Sequence, residues 1–249
     1  MDLGIAGRRA VVAAGSAGLG FATAAALVDE GVRVAICGRD QGRLDAAVAQ
    51  LGPGAVGVEA DLTDPASAGA FVSTATELLG GHPDIAIANA GGPPPGSATG
   101  TDLDGFRRAL ELNFLSTVAL CQAVSDDMAA QGWGRIVAIT SIGARQPIPY
   151  LAASTSARAA TTAFVKNLAT ELAGRGVCVN TLQPGSHDTD RIRNLGGDQY
   201  RQLAGDIPAG RLGDAADFGR IAAFLCSEPA NFICGASLIV DGGASRGLQ

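Results

Sequence analysis

The chain has 249 residues, 47% of them hydrophobic and only 4% aromatic, and a formal net charge of −6. That is enough apolar material for a sizeable core, while an acidic balance with no lysine- or arginine-rich run argues against nucleic acid as a partner. No apolar run reaches the roughly 18–20 residues that a bilayer-spanning helix needs, so no membrane partner is expected.

A strand predicted at 9–14 leads into a helix at 18–30, a strand at 32–37 into a helix at 40–50, and a strand at 55–59 into a helix at 65–80. The strand at 85–88 precedes a long helix at 102–130, and the strand at 135–140 a second long helix at 150–174. The strand at 177–182 is followed by a short helical piece near 189–204 and a helix at 214–227; a strand at 236–240 closes the pattern. Asp64-Pro65 and Thr101-Asp102 supply helix-start signals. Unbroken apolar runs such as 10–14 suit strands buried on both faces. This alternation predicts an α/β protein, a doubly wound (Rossmann-type) parallel sheet of about seven strands with helices on both faces. With no linker, repeat or low-complexity tract, residues 1–249 read as a single domain. Residues 91–96, Gly-Gly-Pro-Pro-Pro-Gly, read as a loop after the fourth strand, and 185–210 as an excursion beyond a strand's carboxyl end, where such sheets bind ligands.

Five cysteines, odd in number and without a CxxC pair, point to buried free thiols in a reducing compartment. The first residues carry no apolar stretch behind Arg8 and Arg9 and do not read as a signal peptide, so the expected location is the cytoplasm. His82 and His187 are far apart in sequence and the cysteines lack ligand spacing, so no metal site is expected. His82, between Gly81 and Pro83, reads as a turn residue, and Asp126-Asp127 as a solvated patch.

The richest motif is Ala13-Ala-Gly-Ser-Ala-Gly-Leu-Gly20, between the first strand and the first helix. Glycines there let backbone approach a phosphate, and a helix amino end offers free N–H groups and a positive dipole. Gly15, Ser16, Gly18, Leu19 and Gly20 are therefore candidate phosphate-binding residues. At the end of the second strand, where an acid would repel a ribose 2′-phosphate, the chain has Gly38 and then Arg39. An arginine fork suits phosphate, so NADP(H) is favoured over NAD(H).

With its other motifs, the chain resembles the short-chain dehydrogenase/reductase family over nearly its whole length. The glycine loop is similar to the family's TGxxxGxG, with Ala13 and Ala14 in place of Thr-Gly. Asp61 and Leu62 match the residues that meet adenine. Asn89, Ala90 and Gly91 match NAG, and Asn113 the structural and catalytic asparagine. Ser141 matches the substrate-binding serine. Pro184, Gly185 and Thr189 match the segment touching nicotinamide, and residues 241–243 the terminal DGG. The 91–96 loop and residues 146–149 resemble a divergent, 3-oxoacyl-carrier-protein-reductase-like branch. The resemblance implies a dehydrogenase or reductase and assembly as a homo-oligomer, a tetramer or dimer.

The departure from the family lies downstream of Ser141. Ser154 stands where the resemblance expects the acid/base tyrosine, and Arg158 where it expects the lysine. A serine is a weaker acid on a shorter stem, and an arginine holds a charge without readily releasing a proton. Arg158 remains a candidate cofactor contact. Tyr150, on the helical face of Ser154 and Arg158, and His187 are candidate replacement donors, as is water. Three readings stay open: an NADP(H)-dependent oxidoreductase on a carbonyl/hydroxyl pair, with a small-molecule substrate such as a 3-oxoacyl or ketide group; a non-redox enzyme (dehydratase, cyclase, lyase or isomerase) on the same scaffold; and a non-catalytic nucleotide-binding sensor or partner protein.

Overall fold

A computed structural model describes residues 1–247. Seven parallel strands form one sheet in the order β3-β2-β1-β4-β5-β6-β7, with β1 at Arg9–Val12, β2 at Arg33–Gly38, β3 at Ala55–Glu59, β4 at Ile85–Ala88, β5 at Gly134–Ile139, β6 at Val177–Pro184 and β7 at Ser237–Val240. Successive residues of one strand serve opposite faces: Ala10 and Val12 pack into one core, Val11 and Ala13 into the other. This is why the strands are apolar without alternation.

On the first face lie α1 (Gly18–Asp29), α2 (Gln41–Leu51) and α9 (Ala215–Leu225), contributing Leu27, Leu44 and Phe218. Gly219 lets α9 sit against the Ala22 carbonyl of α1, where any side chain would collide. The second face carries α3 (Pro65–Leu79), α5 (Ser116–Gln131) and α6 (Ala152–Leu172), with Phe71, Leu120 and Val165 inside. Both sequence-visible start signals are N-caps: Asp64 accepts from Ala66 N (3.1 Å) and Asp102 from Gly105 N (2.7 Å).

The long helix expected at 102–130 is present but not uniform. α4 (Leu103–Leu110) passes through a π-helical turn at Glu111–Leu115 into α5. The expected piece near 189–204 is two helices, α7 (Asp190–Arg193) and α8 (Gly197–Gly205), separated by Gly196 at φ +92°. The helix expected from 150 starts two residues later. Gly96 N donates to the Tyr150 carbonyl (2.7 Å) and Ala152 N to the Gly96 carbonyl (3.2 Å). This bridge to the proline-rich loop holds Tyr150 outside the helix at φ +60°.

β1 is flanked by β2 on one side and β4 on the other, so chain direction across the sheet reverses there. The carboxyl ends of the strands open a crevice at that switch point, the general ligand position of such sheets. The glycine turn after β1, residues 89–91 after β4 and Ser141 after β5 lie at that edge.

Ala14 stands at φ +46° in the turn after β1, a region that costs an L-residue roughly 1–2 kcal/mol. Ala14→Gly is expected to stabilise the protein by about 1 kcal/mol, read from urea denaturation midpoints. Equal or lower stability would show that the turn is unstrained with alanine.

Candidate active site

A cleft of about 960 Å³ runs along the carboxyl edge, from Arg39 and Asp61 at one end to Ser141, Ser154 and Arg158 at the other. Its floor is the β1–α1 turn. The α1 N-cap is Ala17, which makes no side-chain capping bond, so the first N–H groups of a twelve-residue helix are left for a ligand. Gly18, at φ +57°, has only Thr189 Cγ2 near the place of a Cβ, at 3.9 Å, so the turn and the 185–210 excursion face each other across open space. A Cβ on Gly20 would strike the Ala14 carbonyl and the Asn89 amide. Asn89 Nδ2 donates to the Ala14 carbonyl (3.2 Å), tying the end of β4 to the turn. An uncapped helix tip beneath a bare glycine surface fits a pyrophosphate.

At the outer end Arg39 is 69% exposed, with Asp61 3.9 Å away. Partial burial would raise the Asp61 carboxyl, but hydrogen bonds from Thr63 N (3.0 Å) and Oγ1 (2.8 Å), with the Arg39 charge, outweigh it and hold the group below the usual carboxylate range. Leu62 also lines this end, as does Arg43, whose N–H donates to the cap Asp40 (2.9 Å). Arg43 was not singled out in the sequence. Its signal was its place four residues after Arg39, in the first turn of α2.

Asn89, Ala90 and Gly91 line the middle of the cleft. Asn113 lies in the π-helical turn, 3% exposed. Its Nδ2 donates to the Gly91 carbonyl (2.8 Å), and its own carbonyl accepts from Thr161 Oγ1 (2.8 Å) and Thr117 Oγ1 (3.1 Å). Its Oδ1 has no partner among the described residues. The wider turn thus anchors α6 and the loop after β4 through one residue.

At the inner end Ser141 Oγ accepts from Gly143 N (2.9 Å), which fixes the oxygen and leaves its O–H free to donate. Ser154 lines the cleft from the first turns of α6. Arg158 reaches under the sheet edge: Nη1 donates to the carbonyls of Ile139 (3.0 Å) and Thr140 (2.8 Å), and Nη2 to that of Ala90 (3.3 Å). Burial, with the nearby Arg191 charge, pushes its pKa down to about 10, so it stays protonated at neutral pH. Pro184 and Gly185 end β6 beside the cleft. Gly185 N donates to the Val240 carbonyl (2.9 Å), and a Cβ there would meet Asp241 Cβ at 2.7 Å. The close approach accounts for the glycine in Pro184-Gly185.

Two expectations need correction. Tyr150 does not share a helical face with Ser154 and Arg158: held out by the Gly96 bridge, it is 72% exposed and does not line the cleft. His187 borders the cleft, but its ring is 5% exposed. It stacks edge-on to Phe218 with centroids 5.0 Å apart, its Cδ2–Nε2 edge lies against Gly213, and Nδ1–H donates to the Gly185 carbonyl (3.2 Å). Asp188 and Asp190 are both tied to Arg193, at 2.9 and 3.3 Å. Asp127 pairs with His82 (3.0 Å). Burial pushes Cys37, Cys121 and Cys226 up to about 12, so these thiols stay protonated.

Residues 13–245 match a family model described as enoyl-(acyl carrier protein) reductase. The chain belongs to the short-chain dehydrogenase/reductase family. It is 36% identical over 241 residues to dehydrogenase/reductase SDR family member 4 of Bos taurus, covering 94% of this chain and 86% of the relative. It is 33% identical over 237 residues to 3-oxoacyl-[acyl-carrier-protein] reductase FabG of Salmonella typhimurium, covering 95% and 97%. L-sorbose reductase from Gluconobacter frateurii, solved with NADPH and L-sorbose, superposes with a TM-score of 0.95 at 29% identity, over 100% of both chains. The chain is thus an oxidoreductase of the short-chain type. Among the described residues, no helix is long and apolar enough to cross a membrane.

Burial lowers the His187 pKa from 6.5, against the opposing pull of the Gly185 carbonyl and the Asp214 and Asp241 charges. As pH falls below 6.5 the unfolded chain takes up this proton first, so stability present above that pH is lost below it. The melting temperature is expected to fall as pH drops from about 7 to about 5.5, and His187→Gln to flatten that fall. An unflattened profile would show that His187 does not titrate with unfolding.

Proposed function

We propose that the protein is an NADP(H)-dependent reductase or dehydrogenase acting on a carbonyl/hydroxyl pair, with a 3-oxoacyl or related ketide group as its substrate class. The observation that carries this reading is a single cleft with the uncapped amino end of α1 at its floor and Ser141, Ser154 and Arg158 gathered at its inner end. Backbone N–H groups from Gly15 to Gly20 hold the pyrophosphate, with Ser16 and Leu19 shaping the turn. Asp61 and Leu62 flank the adenine, and Asn89, Ala90 and Gly91 follow the ribose. Pro184, Gly185 and Thr189 receive the nicotinamide. Arg39, seconded by Arg43, reads a 2′-phosphate, because two guanidinium groups beside one exposed carboxylate leave positive charge at that rim.

Bound there, the dinucleotide supplies or accepts the hydride. Ser141 donates its free O–H to the substrate oxygen and fixes the carbonyl plane. Ser154 and Arg158 stand in the places of the family's tyrosine and lysine. Ser154 is too weak an acid to serve alone, so a water held between the two serine hydroxyls gives its proton to the forming alkoxide, and the hydroxide left behind is neutralised by solvent. Arg158 keeps its proton; its charge would favour the alkoxide, and its remaining N–H groups would be available to hold the cofactor's ribose. Asn113 positions α6 and the loop after β4. Assembly into a dimer or tetramer fits the same reading: Phe232 is 98% exposed and Leu238 of the edge strand β7 is 42% exposed.

The test is ketone-dependent oxidation of NADPH, followed by cofactor absorbance. Slow turnover is expected, with a gain of at least about tenfold in the Ser154→Tyr, Arg158→Lys double variant, since a positioned acid contributes about 10²–10⁴-fold. Product formation without cofactor oxidation would replace this reading with a non-redox enzyme, and NADPH binding without any turnover with a sensor. Separately, Arg39→Gln is expected to weaken NADPH binding about tenfold (about 1.4 kcal/mol) and NADH binding far less. Fluorescence titration checks it; equal losses for both cofactors would refute the role given to Arg39.

A further inference from the structure

Four arginines line the cleft, two toward its outer end and two toward its inner end. Of the outer pair, the Arg39 guanidinium faces Asp61, while Arg43 meets Asp40 through its backbone N–H, a helix-cap bond that leaves its side-chain charge uncancelled. Among the described residues, neither guanidinium of the inner pair, Arg158 and Arg191, has a carboxylate partner. Arg158 is met by three backbone carbonyls, and its Nε–H and one Nη2–H have no partner among the described residues. Arg191 rises from α7 on the 185–210 excursion. Its neighbours Asp188 and Asp190 are both taken by Arg193, so no carboxylate is left to it. Its guanidinium crosses to the proline-rich loop and lies over Gly92, where a Cβ would overlap it. The absent side chain at Gly92 is what admits it. The two cations are close enough for the Arg191 charge to lower the pKa of Arg158.

Two guanidinium groups brought together without an anion repel each other, and such a pair persists at little cost only where solvent or a ligand screens it. A planar fork whose donors meet no acceptor among the described residues matches an oxyanion, carboxylate or phosphate, bidentately. The inner end also holds Ser141 and Ser154, so an oxyanion seated there lies beside the group to be reduced or oxidised.

We propose that Arg191, backed by the charge of Arg158, is an oxyanion receptor for the substrate, and that the preferred substrates are oxo or hydroxy acids carrying a free carboxylate. This inference rests on the reading of the cleft as a reductase site and narrows its oxoacyl or ketide substrate class to members that carry a free carboxylate. The other source of the same chemistry is a cofactor phosphate, and the experiment separates the two.

Calorimetry on the NADPH-loaded protein compares pyruvate, acetoacetate and levulinate, each with its own methyl ester, so that charge is varied and the carbonyl-to-carboxylate distance is stepped. At least one acid is expected to bind about tenfold more tightly than its ester (about 1.4 kcal/mol), and Arg191→Gln to bring that ratio close to one, with partial recovery in Arg191→Lys. Acids no better than esters on the wild-type protein would overturn the proposal. So would an Arg191→Gln protein that keeps the acid preference but binds NADPH tenfold more weakly, which would give the guanidinium to the cofactor. Binding, not turnover, is the readout. An acid preference without any cofactor oxidation would therefore refute the reductase reading and leave the receptor standing. Turnover of esters and acids alike would do the reverse. If NADPH itself fails to bind, the same comparison on the unloaded protein decides the receptor.

Discussion

The amino end of α1 is the constraint around which the rest of the cleft is arranged. Its N-cap is alanine, so no side chain satisfies the first N–H groups, and the helix dipole is directed at the crevice. Gly20 allows the helix to start against the Ala14 carbonyl, and Asn89 ties the end of β4 to that same carbonyl. The turn, the switch point of the sheet and the loop after β4 are therefore one rigid unit. Ala14 carries the strain of that packing in a left-handed conformation that glycine would adopt freely.

Charge is graded along the cleft. The rim is mixed, with Arg39 against Asp61 and Asp40 serving as the α2 cap. The floor is backbone dipole. The inner end is cationic, because Arg193 takes both nearby aspartates away from Arg191 and because Arg158, among the described residues, is met by carbonyls alone. Carbonyl oxygens solvate a guanidinium without cancelling its charge. An arginine at 158 thus does what a lysine could not do in the same geometry: its planar fork bridges the end of β5 to the loop after β4 and still presents N–H groups. The Asn113 turn completes this support, joining α6 to the residues that follow β4.

Much of this was legible beforehand because it depends on local pattern. Seven apolar runs gave seven strands, with ends within about two residues. Asp64 and Asp102 were identifiable caps, and the glycine loop lay between strand and helix as its chemistry requires. Several residues grouped by motif, among them Ser16, Gly18, Leu19, Asn89, Ser141 and Thr189, line one cleft, since parallel strands deliver all their carboxyl ends to the same edge. The two failures share a cause. Helical spacing put Tyr150 on a face with Ser154, but a bridge to Gly96, more than fifty residues away, starts the helix later. Proximity to Pro184-Gly185 put His187 by the substrate, but Phe218 and Gly213, from another part of the chain, pack its ring against the scaffold.

The amino-acid order by itself determined the α/β class, the strand and helix succession, the glycine turn between β1 and α1, the membership of the family and the serine and arginine at positions 154 and 158, because each is written in residues near one another in the chain. Tertiary structure decided which charges stay unpaired, which polar groups face the crevice and which are turned inward. Those outcomes depend on partners brought from distant segments: Gly92 beneath Arg191, Ala90 and Thr140 around Arg158, Gly91 and Thr161 around Asn113. No local pattern records such pairings, since the side chain and its neighbour are joined only by the folded sheet.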